Sequence, residues 1–194
     1  MNLHRIKLRD ADLLYHPNYF SAEKSGFLMK HLLEQINWKQ QKIKLFGNEI
    51  KQPRLTALFG DSGKSYTYSG LKLAPSPFLE NLLFIKEHIE KNFEMNFNTC
   101  FANLYRDGSD SMGWHADDEK ELGKNPVIAS VSFGAERVFQ LKHKYDKTHK
   151  FKLSLEPGSV LIMAGTTQSF WKHQLPKTKK KIGPRINLTF RNII

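Results

Sequence analysis

From Phe97 onward the chain is a succession of short runs rich in β-branched and aromatic residues, separated by turn formers. This pattern limits the fold more than any other feature of the sequence. Phe97–Tyr105, Ile128–Phe133, Arg137–His143, Phe151–Leu155, Val160–Ala164 and Arg185–Asn192 read as strands. Glu156-Pro157-Gly158-Ser159 reads as a turn, and Lys142–Lys150 as a charged hairpin tip or loop. Upstream, Ser21 can cap a helix over Ala22–Ile36 whose apolar side carries Phe27, Leu28, Leu32 and Ile36. A second helix is expected with Ser76 as cap and Pro77 in the first turn. Phe78, Leu82, Ile85 and Ile89 recur along it at helical spacing, and it ends near Phe93. Lys42–Ser69 mixes glycine, charge and aromatics, which suggests short strands with exposed loops. Two helices followed by many short strands give a mainly β fold with flanking helices (α+β), a sheet sandwich such as a jelly roll. The 194 residues suit a single domain.

Three residues in this framework point to chemistry. His115 and Asp117 are two apart, so in an extended segment both face one side, and His173 arrives from a distant strand or loop. Two imidazoles and one carboxylate can hold one face of an iron(II) ion and leave positions open for a co-substrate and dioxygen. The triplet His115-Ala116-Asp117 alone reads first as a pair of solvated loop residues, and the last strand shifts the balance. Arg185, Asn187, Thr189 and Arg191 share one face there, with Ile186, Leu188 and Phe190 on the other. A polar face ending in two arginines is costly to bury without an anionic partner. The plainer alternative is a solvent-facing edge strand. Six residues separate the arginines, about 20 Å along a straight strand. They therefore reach one small diacid only by leaning together or by a bend, or they serve different ends of the site. Asn103 and Tyr105 also share a face and can hydrogen-bond a diacid. His31, His88, His143 and His149 have ordinary helix or surface readings. Structural zinc is disfavoured, since it lacks cysteine ligands and leaves the arginines unexplained.

The net charge of +11 favours a polyanionic partner, with nucleic acid ahead of a membrane surface. Lys177-Thr178-Lys179-Lys180-Lys181 is a candidate phosphate clamp, or else a solvated loop or localisation signal. Cys100 is the single cysteine, so no intramolecular disulfide forms, which fits a reducing compartment. No apolar signal core follows Met1, and no apolar run is long enough to span a bilayer. The expectation is an intracellular monomer with no membrane association, cytoplasmic if bacterial and nuclear if eukaryotic.

Several separated segments, in one order, resemble the AlkB family of iron(II)/2-oxoglutarate dioxygenases, in the branch of the animal DNA-repair homologues. They are Asn103-Leu104-Tyr105-Arg106-Asp107-Gly108, Trp114-His115-Ala116-Asp117-Asp118-Glu119, Ile128-Ala129-Ser130-Val131-Ser132-Phe133-Gly134-Ala135 and Pro184-Arg185-Ile186-Asn187-Leu188-Thr189-Phe190-Arg191. Pro53-Arg54-Leu55-Thr56-Ala57 and Tyr66-Thr67-Tyr68-Ser69-Gly70 match as well. The resemblance implies a double-stranded β-helix core over residues 97–194, with N-terminal helices and a nucleotide-recognition lid over residues 1–96. It implies His115, Asp117 and His173 as iron ligands. It also implies Asn103, Tyr105, Arg185, Thr189 and Arg191 around 2-oxoglutarate, with Asn187 nearby. Tyr66, Thr67, Tyr68, Ser69, Asp118 and Glu119 would line a damaged-base pocket. Phe46, Gly47 and Asn48 sit where duplex-acting members carry a hydrophobic finger, although Phe46 can equally be core. The implied activity is oxidative demethylation of 1-methyladenine and 3-methylcytosine in DNA, using Fe(II), 2-oxoglutarate and O2. The alternatives are the same chemistry on RNA, or a non-catalytic nucleic-acid-binding module.

Overall fold

The computed structural model describes residues 3–45, 48–61, 66–68 and 71–194; for 43–45, 66–68 and 71–73 it describes the backbone alone. In chain order the elements are β1 (His4–Leu8), β2 (Ala11–His16), α1 (Ala22–Gln35), β3 (Lys42–Leu45), β4 (Asn48–Lys51), β5 (Leu55–Gly60), β6 (Tyr66–Tyr68) and β7 (Leu71–Leu73). There follow α2 (Glu80–Phe93), β8 (Thr99–Tyr105), β9 (Met112–His115), β10 (Ile128–Gly134), β11 (Arg137–His143), β12 (Lys150–Leu155), β13 (Val160–Ala164), α3 (Thr167–Phe170), β14 (Trp171–Leu175) and β15 (Arg185–Arg191).

A seven-stranded sheet has the order β1-β2-β13-β10-β15-β8-β5, and a four-stranded sheet the order β12-β11-β14-β9. From β8 the chain alternates between them: β8 in the large sheet, β9 in the small, β10 in the large, β11 and β12 in the small, then β13, β14 and β15 in turn. Adjacent strands within each sheet are antiparallel. This winding of one chain through two facing sheets is the double-stranded β-helix, a jelly roll, with helices flanking it. Two small hairpins, β3-β4 and β6-β7, lie apart from both sheets.

The helices cover the outer face of the large sheet. Leu28 and Leu32 of α1 and Leu82, Ile85 and Ile89 of α2 are fully buried. They form one core with Ala102, Leu104, Val131, Phe133, Ile186, Leu188 and Phe190 from β8, β10 and β15. Each of the valine, leucine, isoleucine and phenylalanine side chains contributes about 1.5–3 kcal/mol on leaving water. A second core between the sheets joins Leu13, Phe101, Ile128, Phe139, Leu141, Leu161, Met163 and Trp171. No helix among the described residues is long and apolar enough to cross a membrane.

Four expectations change. β1, β2, β9 and β14 are strands that the alternation argument does not find. The large sheet also crosses the division at residue 96, because β1, β2 and β5 lie before it and hydrogen-bond into the core. Phe27 is 49% exposed rather than on the buried side of α1, its ring 4.2 Å from that of His31. Finally, Ser21 caps α1 by accepting from the Lys24 N–H at 3.2 Å, but Ser76 does not cap α2. Its backbone instead bridges β5: Ser76 N–H donates to Leu58 O at 2.9 Å, and Gly60 N–H donates to Ser76 O at 3.0 Å. The helix therefore begins later, at Glu80.

Ser21→Ala is expected to lower stability in urea unfolding by about 1 kcal/mol. Ser76→Ala should change it by less than about 0.5 kcal/mol. Equal losses from both would contradict this assignment of the two caps.

Candidate metal centre and its arginine-lined pocket

β15 sits between β10 and β8, so the edge-strand alternative does not hold and both of its faces are buried. Ile186, Leu188 and Phe190 meet the helices. Arg185, Asn187, Thr189 and Arg191 point between the sheets, into a pocket shared with Phe101, Asn103, Tyr105, Ser130, His115, Asp117 and His173. The register explains the grouping. Asn187 is opposite Asn103, Arg185 opposite Tyr105 and Thr189 opposite Phe101, and directly paired residues share a sheet face.

His115 ends β9 and is the register partner of His173 at the middle of β14. Their rings are 4.2 Å apart between centroids, and the two Nε2 atoms are 3.0 Å apart. His115 Nδ1 lies 2.8 Å from Gly113 O, an acceptor that fixes the proton on Nδ1 and leaves Nε2 with its lone pair. Asp117 lies just past the strand rather than within it. Its Oδ2 is 3.7 Å from His173 Nε2, and its Oδ1 accepts from Arg191 Nη2 at 2.5 Å. One ligand atom from each of the three residues falls within 4.8 Å of the others.

The electrostatics suit a cation. Burial drives the His173 pKa down to about 3, and neighbouring His115 adds to the effect. Burial likewise lowers that of His115, against the opposing pull of Asp117. Burial would raise Asp117, but the charge and hydrogen bond of Arg191, together with His173 and His115, outweigh it and hold the carboxyl at about 2. At neutral pH the three groups are thus two neutral imidazoles and one carboxylate, the protonation states that metal ligation requires. Two nitrogens each about 2.1 Å from one ion, at roughly a right angle, would stand about 3.0 Å apart. The donor set therefore fits a single transition-metal ion, and its imidazole and carboxylate composition with open positions suits iron(II).

Arg185 lies at the other end of β15's inward face. It is 2% exposed, and Nη2 donates to Ser132 Oγ at 2.9 Å. Its guanidinium carbon is 5.3 Å from the Tyr105 ring centroid. Its Nε has no hydrogen-bond partner, and no carboxylate pairs with it among the described residues. Burial lowers its pKa to about 10, and Tyr105 partly offsets this. A buried guanidinium that stays charged and faces a pocket is a place for an anion. The two arginines therefore stand apart: Arg191 is committed to Asp117, while Arg185 awaits a partner.

The other expected residues divide. Asn103 Oδ1 accepts from Arg54 Nε at 2.7 Å. Asn187 is spent on the sheet, since its Nδ2 donates to Ser130 Oγ at 2.8 Å and Val131 O at 3.1 Å, and its Oδ1 accepts from Thr189 Oγ1 at 3.2 Å. Asp118 is exposed and accepts from Lys144 Nζ at 2.8 Å; Glu119 is half-buried just before a short 3-10 turn. Tyr66, Thr67 and Tyr68 form β6, paired with β7, and Asn48 is exposed at the start of β4. Phe46, Gly47 and Ser69 lie outside the described residues. Arg54, Ser130 and Ser132 stand in segments that match the family but carry no expected site role, and Gln168 stands in none. Only the serines leave a signal, alternating with Ala129, Val131 and Phe133 along β10.

Comparison with known proteins agrees with this geometry. The family model of the 2OG-Fe(II) oxygenase superfamily matches residues 12–191. The chain is 38% identical over 187 residues to the mouse alpha-ketoglutarate-dependent dioxygenase alkB homolog 3, covering 92% of this chain and 65% of that protein. It therefore spans about 65% of the length of that relative. It is 41% identical over 198 residues to the human DNA oxidative demethylase ALKBH2, covering 97% of this chain and 76% of that protein. The solved structure of OsALKBH1 superposes with a TM-score of 0.68 at 18% identity, covering 97% of this chain and 100% of that one, and shares its fold. With the matched model running through His115, Asp117, His173 and Arg185, the chain belongs to the 2OG-Fe(II) oxygenase superfamily, among its AlkB homologues.

Proposed function

We propose that this protein is an oxidative demethylase of N-alkylated bases in DNA, acting on 1-methyladenine and 3-methylcytosine with Fe(II), 2-oxoglutarate and O2. One observation carries the reading. A two-histidine, one-carboxylate cluster and a buried arginine without an anionic partner open into the same pocket. His115, Asp117 and His173 hold the iron. Arg185 takes the distal carboxylate of 2-oxoglutarate, Tyr105 and Asn103 supply hydrogen bonds beside it, Thr189 lines the berth, and Asn187 stiffens the strand. Arg191 keeps Asp117 ionised and aimed. The iron centre, when loaded with 2-oxoglutarate and dioxygen, supplies the oxidation of the methyl group. Overall, one methyl group, 2-oxoglutarate and O2 become formaldehyde, succinate and CO2, and the unmodified base is restored. The enclosing sheets keep water from the site.

The segment before residue 97 carries the nucleotide-recognition lid, with Tyr66, Thr67, Tyr68 and Ser69 against the extruded base. In this reading Asp118 and Glu119 meet the extruded base, and Phe46, Gly47 and Asn48 fill the gap left in the duplex. A nucleic-acid partner is supported by the outer face of the small sheet. Lys150, Lys142 and Lys172 are directly opposite one another on three adjacent strands. Like charges so placed destabilise a sheet, and a phosphate backbone relieves them. Lys142 Nζ also lies 4.3 Å from the Trp114 ring centroid. Lys177–Lys181, close in sequence to His173 and Arg185, add to the positive charge. The protein acts as a monomer in a reducing intracellular compartment, where ferrous iron persists and buried Cys100 stays a thiol.

The deciding experiment incubates the protein with Fe(II), 2-oxoglutarate and oxygen on single- and double-stranded oligonucleotides bearing each lesion. A mass loss of one methylene per base, with succinate formed in equal amount, is expected; unchanged masses reject the reading. Matched RNA run in parallel separates the RNA alternative by its higher kcat/KM. His115→Ala or Asp117→Ala should abolish turnover and leave DNA binding within about twofold, as the phosphate contacts lie elsewhere. Arg185→Ala should raise the 2-oxoglutarate KM by roughly tenfold to a hundredfold. An unchanged KM removes Arg185 from that role. Phe46→Ala should depress duplex repair more than single-strand repair, and equal losses argue against the wedge.

A further inference from the structure

Gln168 is a fully buried neutral amide that neither the motifs nor the metal ligands account for. It lies in α3, and Thr167 beside it locks that turn to the large sheet. Thr167 Oγ1 donates to Ala164 O at 2.6 Å and accepts from Asp12 N–H at 2.9 Å. From this fixed platform Gln168 Oε1 accepts the backbone N–H of Asp117 at 2.9 Å. Its Nε2 is 3.7 Å from Met163 Sδ, a weak acceptor in the same pocket wall. An amide is the side chain that satisfies both neighbours; a leucine would orphan the Asp117 N–H, and a carboxylate would bury a second charge.

Lys144 closes the arrangement from the small sheet. Its backbone N–H donates to Phe170 O at 2.7 Å, so it is tied to α3 at the main chain. Its Nζ donates both to Gln168 O at 2.7 Å and to Asp118 Oδ2 at 2.8 Å. The Lys144 side chain is 14% exposed and that of Asp118 56%, so this lysine is not one of the solvated charges of the basic face. It occupies one oxygen of Asp118, Oδ2, and the other has no hydrogen bond among the described residues.

We propose that Gln168 and Lys144 form a positioning clamp that holds Asp117 as metal ligand and Asp118 as base-reading acceptor in one fixed relation. The proposal rests on the function assigned above. Neither residue touches metal or base. Gln168 sets the aim of the Asp117 carboxylate through its backbone, and Lys144 sets which oxygen of Asp118 meets the methylated base. Metal affinity and base discrimination thereby share one support, α3, which joins the two sheets beside the site.

The test uses the full chain and separates the two roles. Anaerobic titration with Co(II), an oxygen-stable probe of the iron site, should show Gln168→Leu binding 10- to 100-fold more weakly, about the effect of losing a partner that orients a ligand. Lys144→Met should bind Co(II) within twofold of the parent. On a 1-methyladenine oligonucleotide, Lys144→Met should raise KM about three- to fivefold with kcat nearly unchanged, and Lys144→Arg should restore it. Gln168→Asn, which keeps the amide at shorter reach, serves the same metal comparison if Gln168→Leu does not fold. Parent-like Co(II) affinity in the glutamine variant, or a Lys144→Met defect in kcat alone, overturns the clamp. So does a failure of Lys144→Arg to restore KM. The Co(II) arm needs no substrate. A protein that binds metal through this clamp but demethylates neither lesion would refute the assigned function and leave the clamp standing.

Discussion

The pairing of Asp117 with Arg191 is the constraint on which the rest of the site depends. Both groups are removed from water, and a carboxylate or guanidinium left alone there is strongly destabilising. Each therefore requires the other. Arg191 belongs to a strand buried on both faces in the large sheet, whereas Asp117 belongs to the turn after β9 in the small one. Their contact fixes the distance between the sheets at the place where His115 and His173 meet. The same contact is the largest of the charge effects that keep the carboxylate ionised, so the bond that closes the sandwich also helps to prepare a metal ligand.

β15 shows how one strand can serve two environments. Its even-numbered residues Ile186, Leu188 and Phe190 complete the core beneath α1 and α2. Its odd-numbered residues Arg185, Asn187, Thr189 and Arg191 line the pocket. The period of two forces this division, and a slip of one residue in register would put guanidinium groups under the helices. Stability and site geometry are consequently specified by the same hydrogen-bond ladder with β8 and β10.

Much of this was legible in the residues. The alternation of β15 and the strands β8, β10, β11, β12 and β13 follow from residue pattern, whereas the grouping of His115, Asp117 and His173 is only an open reading of spacing that the family resemblance favours. β14 was not legible because its inward positions are Trp171, His173 and Leu175, and a functional histidine interrupts the apolar alternation. β9, Met112-Gly113-Trp114-His115, has too little apolar pattern to read. Ser76 resembled a helix cap, but its backbone was claimed by the edge of β5, a tertiary choice that local sequence does not record. Arg54 and Gln168 hydrogen-bond pocket residues from far along the chain, at Asn103 and Asp117, so no local spacing marks these contacts.

The unpaired Nε of Arg185 has a thermodynamic corollary. Folding encloses a charge whose counter-ion arrives only from solution, so occupancy of that berth and persistence of the native state are linked by mass action. A dicarboxylate at a hundred times its dissociation constant would deepen the folded well by about 2.7 kcal/mol. Cellular supply of the small acid would then govern the protein's survival against proteolysis as well as its turnover.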